Sequence, residues 1–373
     1  MRVEPFEMER LQSEWENRVE INLSESSVHP VTVQELIGDG ESLAEFAATK
    51  LGYNQTNGSA ELRRLISSLY TGAGPDNVLV TNGTAEANYL AVWKLLEGGD
   101  EMVLMLPNYM QIWGASRGFG VKVIPFRLQE CKNWAPDLEE LRRAVTPKTK
   151  LIAVCNPNNP TGAVLSAEEM REIVEAARRV GAWLLADEVY QGAERNGATT
   201  SSFWGLYDKT LITNGLSKAY GVPGIRIGWM VGPKDVIASL WSYHDYTTIA
   251  IGTLSDALAR VVLAPGNRER ILERTRSILR RNYPLIEQWV RAHSDTFSMV
   301  PPVAGAIAYL KYALEINSSE LVRRLRDEKS VLVVPGDHFG MDRYLRVNFG
   351  PPAECLQAGL ERLGELVRQI RSS

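Results

Sequence analysis

The sequence predicts an α/β protein, with a large domain built on a mostly parallel sheet covered by helices on both faces and a smaller α+β domain after it. Three observations lead there. At 373 residues the chain exceeds the size at which a single core stops growing, so two units are expected. Between Lys50 and Pro233 short apolar runs alternate with amphipathic helical stretches, which is the pattern of parallel strands joined by covering helices. After Asn267 the character changes to a long charged helical stretch followed by short strand-like runs. The expected boundaries are 46–262 for the large domain and 263–373 for the small one, with 1–45 joining the small domain.

Each element has its own signal. Asn77-Val-Leu-Val-Thr81 reads as a buried strand, and its exit, Asn82-Gly83-Thr84-Ala85-Glu86-Ala87, leads into a helical pattern through Leu95. A strand, a glycine turn and a helix N-terminus together make an anion cradle. Leu151-Ile-Ala-Val-Cys155 is a second buried strand, running into the polar turn Asn156-Pro-Asn-Asn159-Pro-Thr-Gly162, which can continue neither helix nor strand. Ser166 to Val180 places Met170, Ile173, Val174 and Ala177 on one helical face. Trp183-Leu-Leu-Ala186 is a third strand and ends in Asp187-Glu-Val-Tyr190. An acid at the carboxyl end of a parallel strand sits where open α/β sheets bind ligands. In the second unit, strands are expected at Ala306–Leu310, Val331–Val334 and Tyr344–Phe349, with a closing helix over Ala353–Arg371.

The most informative stretch is Asn214-Gly-Leu-Ser-Lys218-Ala-Tyr-Gly-Val-Pro-Gly-Ile-Arg226-Ile-Gly-Trp229. Its glycines and Pro223 allow tight turns and close approach of a bulky ligand to Lys218. Only a free amine attacks a carbonyl, and burial beside other cations is how a lysine pKa is lowered toward neutrality.

Composition removes several function classes. Forty-one basic against 45 acidic residues leave a formal charge of −4 with no basic run, so nothing points to nucleic acid. No apolar run approaches the ~20 residues of a membrane span, and Met1–Arg10 has no signal-like apolar core. A cytoplasmic protein is expected. Cys131, Cys155 and Cys355 lie far apart, with Cys155 inside a buried strand pattern, and His29, His244, His293 and His338 show no paired spacing. A metal site is not expected.

Asn159-Pro-Thr-Gly, Asp187-x-x-Tyr190, Ser217-Lys218 with Arg226, and Tyr344-Leu-Arg346 together resemble, in kind and in order, the class I and II aminotransferases, the fold-type-I group of pyridoxal 5′-phosphate (PLP) enzymes. The resemblance runs from about Asn22 to Arg346. It implies an aspartate aminotransferase-like fold with a seven-stranded sheet, and it implies roles. Lys218 would form a Schiff base with the cofactor aldehyde and shuttle the substrate proton. Asp187 would pair with the pyridine nitrogen and keep the ring an electron sink. Asn159 and Tyr190 would bond the ring's phenolic oxygen, and Tyr109 would stack on the ring face. Gly83, Thr84 and Ala85 would hold the phosphate through backbone amides, with Ser217 and Arg226 adding a hydroxyl and a charge. Tyr53 would reach the phosphate of a neighbouring subunit, which implies a homodimer with shared sites. Arg346, with Asn159, would bind the substrate α-carboxylate through a bidentate fork.

Two departures bear on substrate. Where many members have a glycine-rich stretch, this chain reads Ile21-Asn-Leu-Ser-Glu25-Ser-Ser-Val-His29-Pro, loosely similar to the branch of capreomycidine synthase-like enzymes, which act on arginine-derived amino acids. Either Glu25 reaches the substrate side chain, where its charge favours a basic amino acid, or the segment is a solvated loop. No Lys or Arg occurs between Lys234 and Arg260, the part from which dicarboxylate-specific members donate a second arginine, so aspartate and glutamate are disfavoured donors. The function expected is amino-group transfer between an L-amino acid and a 2-oxo acid. The alternatives are a PLP-dependent lyase, cyclase or oxidase acting on an arginine-like amino acid, or a non-catalytic sensor, although no DNA-binding extension is present.

Overall fold

The computed structural model describes residues 4–38 and 40–372; Met1–Val3, part of the amino-terminal stretch considered above, Asp39 and Ser373 lie outside them. A central sheet carries its strands in the order Val78–Thr81, Gly228–Val231, Thr210–Gly215, Trp183–Asp187, Thr149–Cys155, Glu101–Leu106, Lys122–Gln129 and Ala135–Pro136. The five from Thr210–Gly215 to Lys122–Gln129 are mutually parallel. Gly228–Val231 runs antiparallel to both its neighbours, and the two-residue Ala135–Pro136 adds an antiparallel edge to the seven strands expected.

The apolar runs exist because both faces of this sheet are covered, so neither side chain of each alternating pair meets water. Leu79, Leu104, Leu151, Leu185, Leu211 and Met230 enter one core. Val80, Val103, Ile152, Leu184, Ile212 and Val231, each next in line along the same strands, enter the other. Period-two alternation therefore persists, but between two apolar layers. The covering helix Ala167–Val180 starts with Ser166 and Glu169 in a reciprocal capping box and ends on Gly181 in the left-handed region, burying Met170, Ile173, Val174 and Ala177 as expected.

The second sheet is wholly antiparallel, in the order Phe297–Met299, Ile307–Tyr312, Tyr344–Asn348, Val334–Pro335. Helices Asn267–Ala292, Ser318–Lys329 and Ala353–Ser372 accompany it. The single strand expected over Val331–Val334 is divided, because Val331–Leu332 pairs instead with Ile21–Asn22, in parallel. That pairing anchors the amino-terminal segment and carries it toward the central sheet's carboxyl edge. No helix among the described residues is long and apolar enough to cross a membrane.

Two turns of the central sheet are stitched to the connection between the first two strands of the second sheet. The Gly162 carbonyl accepts the Val303 and Ala304 amides at 2.9 and 3.0 Å. Gly162 has φ 67°, and a Cβ there would stand 2.5 Å from Pro302 Cβ, so this close approach needs glycine. Glu194, 1% exposed, bridges Ala304 through its backbone, takes the Thr200 amide at 2.8 Å and faces Arg276 at 3.3 Å. Removing one partner of such a pair leaves a buried charge uncompensated. Arg276→Ala is therefore expected to destabilise the fold by roughly 3 kcal/mol and Arg276→Lys by less, read from urea unfolding midpoints at constant slope.

Candidate active site

Open α/β sheets bind ligands beyond the carboxyl ends of their parallel strands, and five exits from this sheet converge on one cavity of 410 Å³. Thr84 and Ala85 follow Val78–Thr81, Tyr109 follows Glu101–Leu106, and Asn159 follows Thr149–Cys155. Asp187 and Tyr190 close Trp183–Asp187, and Ser217 and Lys218 follow Thr210–Gly215. Arg226 precedes the antiparallel Gly228–Val231 and so lies at the same edge. Arg346 arrives from the second sheet, and Glu25 from the amino-terminal segment. Cys155, read as a core residue, is buried but also faces this cavity. Gly83 turns the chain into the helix Thr84–Leu95. Tyr53 is not brought in by its own chain and is 93% exposed.

The amino-terminal segment is no solvated loop. Leu23 donates to Leu332 and accepts from Asn348, and Ser24, Ser26 and Ser27 are buried. Glu25 alone of these is exposed, and it lines the cavity together with Ser26 and Ser27.

Asp187 is 6% exposed and holds two neutral donors, Asn88 Nδ2 at 3.0 Å and the Val189 amide at 3.1 Å. Burial pushes its carboxyl pKa up, against those bonds and the nearby Lys218. Thr213 donates to Asn88 Oδ1 at 2.7 Å and thereby fixes which end of the amide faces the acid. For Lys218, burial lowers the amine to about 8, with Arg346 and, more weakly, Arg226 adding to it and Glu25 and Glu9 opposing. Arg346, 1% exposed, gives Nη1 to Asn159 Oδ1 at 3.0 Å and Nη2 to the Ser24 carbonyl. Its Nε is buried without a partner. Tyr190 is buried too, and burial raises its phenol above the ordinary range.

This donor set suits a phosphorylated, aldehyde-bearing pyridine. The N-terminus of Thr84–Leu95, the Ser217 hydroxyl and Arg226, whose Nη1 lies 3.5 Å from that hydroxyl, make an anion site. Glycine permits the closeness: a Cβ at Gly83 would lie 2.3 Å from Arg226 Nη2, and one at Gly228 would lie 2.3 Å from the Thr84 nitrogen. Asp187 supplies a carboxylate for a protonated ring nitrogen, and Lys218 an amine for the aldehyde.

The profile of the aminotransferase class I and II family matches residues 21–363. The chain belongs to that family. Its cofactor is pyridoxal 5′-phosphate, and the chain is a PLP-dependent enzyme of aspartate aminotransferase-like fold. A PLP-dependent aminotransferase from Streptococcus suis superposes with a TM-score of 0.93 at 35% identity, covering 99% of each chain. Capreomycidine synthase of Streptomyces vinaceus is 28% identical over 347 residues, 92% of this chain and 89% of that protein. The PLP-dependent cyclase OrfR superposes with a TM-score of 0.89 at 26% identity, over 99% of this chain and 98% of its own.

Several residues of this family member's site were not found in the sequence. Asn88 lies one turn beyond Thr84 on the phosphate-side helix, and its only local signal is a polar residue at that spacing. Met8, Glu9, Gln12 and Glu16 line the cavity from the amino-terminal helix Glu7–Trp15 and its end. Glu9, Gln12 and Glu16 recur at intervals of three and four, a polar stripe on one helix face that the reading passed over.

The lowered amine gives a pH expectation. A free amine captures the aldehyde, so capture of PLP by cofactor-free protein should quicken as pH rises and level off above a midpoint of about 8. Arg346→Ala removes a neighbouring cation and should move that midpoint upward. Borohydride trapping with peptide mapping should place the pyridoxyl group on Lys218; finding it on another lysine would refute the assignment.

Proposed function

We propose that the enzyme moves the amino group of an L-amino acid with a cationic side chain to a 2-oxo acid, with Lys218, Asp187 and Tyr190 as its catalytic residues. PLP, when bound, supplies an electron sink for the pair left as the α-proton departs. Lys218 Nζ would hold the aldehyde carbon until the substrate amine takes its place, and the lysine amine so released would carry the proton away from the substrate Cα. Asp187 holds the proton on the ring nitrogen, while Tyr190 and Asn159 donate toward the ring oxygen. Arg346 orients the α-carboxylate with its fork.

The observation that carries the substrate class is the charge balance of the cavity. Its bases are Lys218, Arg226 and Arg346, and its acids are Asp187, Glu9, Glu16 and Glu25. The aldehyde takes Lys218, the phosphate Arg226, the α-carboxylate Arg346 and the ring nitrogen Asp187. Among the described residues, three glutamates remain without a cation. They also crowd one another: burial, then Glu25 and Glu9, raise the Glu16 carboxyl. A cationic side chain relieves this, whereas a second carboxylate would worsen it.

Cyclisation or elimination is the second reading, supported by the likeness to capreomycidine synthase and to a PLP-dependent cyclase over nearly the whole chain. Incubation of the holoenzyme with arginine, ornithine, norleucine or glutamate, each with pyruvate, separates the two by product. An oxo acid plus alanine supports transfer, whereas a cyclic or deaminated product without alanine replaces it. In either chemistry kcat/KM should favour arginine or ornithine over norleucine by at least about tenfold, and Glu16→Gln with Glu25→Gln should shrink that ratio. Equal rates across the panel would remove the cationic class.

We also propose a homodimer in which Tyr53 completes the partner's phosphate site. Leu51, Tyr53, Tyr246 and Ile249 are all exposed. Trp241 on Thr56 and Thr253 on the Gly52 carbonyl bring their two segments side by side. An exposed apolar patch of this kind suits an obligate interface. Mixing inactive Lys218→Ala with weakened Tyr53→Phe subunits should restore activity through hybrids having one intact site; a competent monomer in sedimentation would contradict it.

A further inference from the structure

The amino-terminal helix Glu7–Trp15 touches the site at two points one turn apart. Glu9 accepts the Tyr109 hydroxyl at 2.7 Å, and Gln12 donates Nε2 to the Ser24 carbonyl at 2.9 Å. That carbonyl is also the one that receives Arg346 Nη2. Residues three apart share a helix face, so one rigid turn holds both contacts. The carboxyl end of the helix is anchored apart from them, whereas its amino end packs on Tyr109 itself. Phe6 meets the Tyr109 ring edge-on with centroids 4.9 Å apart, Met8 and Gln12 are buried, and the Arg326 guanidinium lies 3.9 Å above the Trp15 ring. Glu14, on the outer face, reaches only Arg10.

What these contacts hold has few other polar ties. Tyr109 follows a strand through the turn Pro107-Asn108, and its side chain has one polar atom with which to fix its tilt. Burial and then the Glu9 charge keep its phenol well above the ordinary range, so the hydroxyl remains a donor. Arg346 has two acceptors, Asn159 from the central sheet and Ser24 from the amino-terminal segment, and a buried Nε with none. Its plane is therefore set by where Asn159 and Ser24 sit, and Gln12 adds to the ties of Ser24 with Asn22 a link to the helix.

We propose that Glu9 and Gln12 are positioning residues and that the helix Glu7–Trp15 is a bar which aligns Tyr109 with Arg346, so that the cofactor ring and the substrate carboxylate are registered together. The inference rests on the assignments of Tyr109 to the ring and Arg346 to the carboxylate made above. Its structural content is separate from charge recognition by the same helix: Gln12 is neutral, and the Glu9 oxygen that bonds Tyr109 is not free for a substrate.

The test uses the holoenzyme and two readouts. The first is the rate of PLP release after dilution into a scavenging apoenzyme, together with the circular dichroism of the bound cofactor. Tyr109→Phe and Glu9→Ala should each quicken release by about tenfold, the scale of one lost charge-assisted hydrogen bond, and should alter the dichroism alike. The double variant should be no worse than either single one, Glu9→Gln should recover part of the loss, and Glu14→Gln should change nothing. The second readout is the split of kinetic constants. Gln12→Met should raise KM by about the same factor for arginine and norleucine, with kcat changing less, and should add little to Arg346→Lys. Additive effects of Glu9→Ala and Tyr109→Phe, or an unmoved KM in Gln12→Met, would overturn the proposal. If Tyr109→Phe moves neither release nor dichroism while Tyr109→Ala moves both, the proposal falls; if Tyr109→Ala moves neither, the assignment of Tyr109 to the ring falls first.

Discussion

A carboxylate buried with only neutral donors is the constraint around which this molecule is arranged. Asp187 has Asn88 and a backbone amide and no cation within ion-pair distance among the described residues. Left so, it stays costly, because burial disfavours its charge. A protonated ring nitrogen removes that cost. The surroundings keep the acid ready for one: Thr213 orients Asn88, and Asn88 belongs to the helix whose N-terminus meets the phosphate. On the proposed assignments, the ring and phosphate ends of the cofactor would thus be registered by a single helix packed on the sheet.

The same reasoning extends to the cations. Lys218 and Arg346 both lie inside the cavity, and burial lowers the pKa of each. Burial first, then repulsion from Arg346 and, more weakly, Arg226, is what makes the lysine amine available near neutral pH. Cofactor and substrate neutralise these charges, so binding stabilises the folded chain by mass action. The site is a set of charges held apart by a rigid sheet until ligands match them.

Much of this was legible in the sequence, for a local reason. Lys218, Asp187, Asn159, Thr84 and Arg226 all follow or precede strands of the central sheet, and strands buried on both faces announce themselves as apolar runs. The turn after each run then points to the site. Asn88, Glu9, Gln12 and Glu16 were missed because their roles depend on where a helix lands, and a helix face gives no address. The Ile21–Pro30 segment was ambiguous for the same reason. Its order comes from pairing with Val331–Leu332 and from Asn348, more than 300 residues away in the chain. The divided strand at Val331–Val334 was illegible too, since one apolar run serves two different partners.

These two kinds of signal correspond to two kinds of work. Groups that face the cofactor come from turns of the central sheet, whose packing in two apolar layers leaves little freedom. The groups proposed to face the substrate, Arg346, Glu25, Glu16 and Glu9, come from the second sheet and the amino-terminal region, which reach the cavity through a few specific bonds. Reaction type is set where displacement is most costly. On the proposed assignments, substrate preference would be set where a changed side chain disturbs neither core, which is how one scaffold can keep its chemistry while the amino acid it accepts changes.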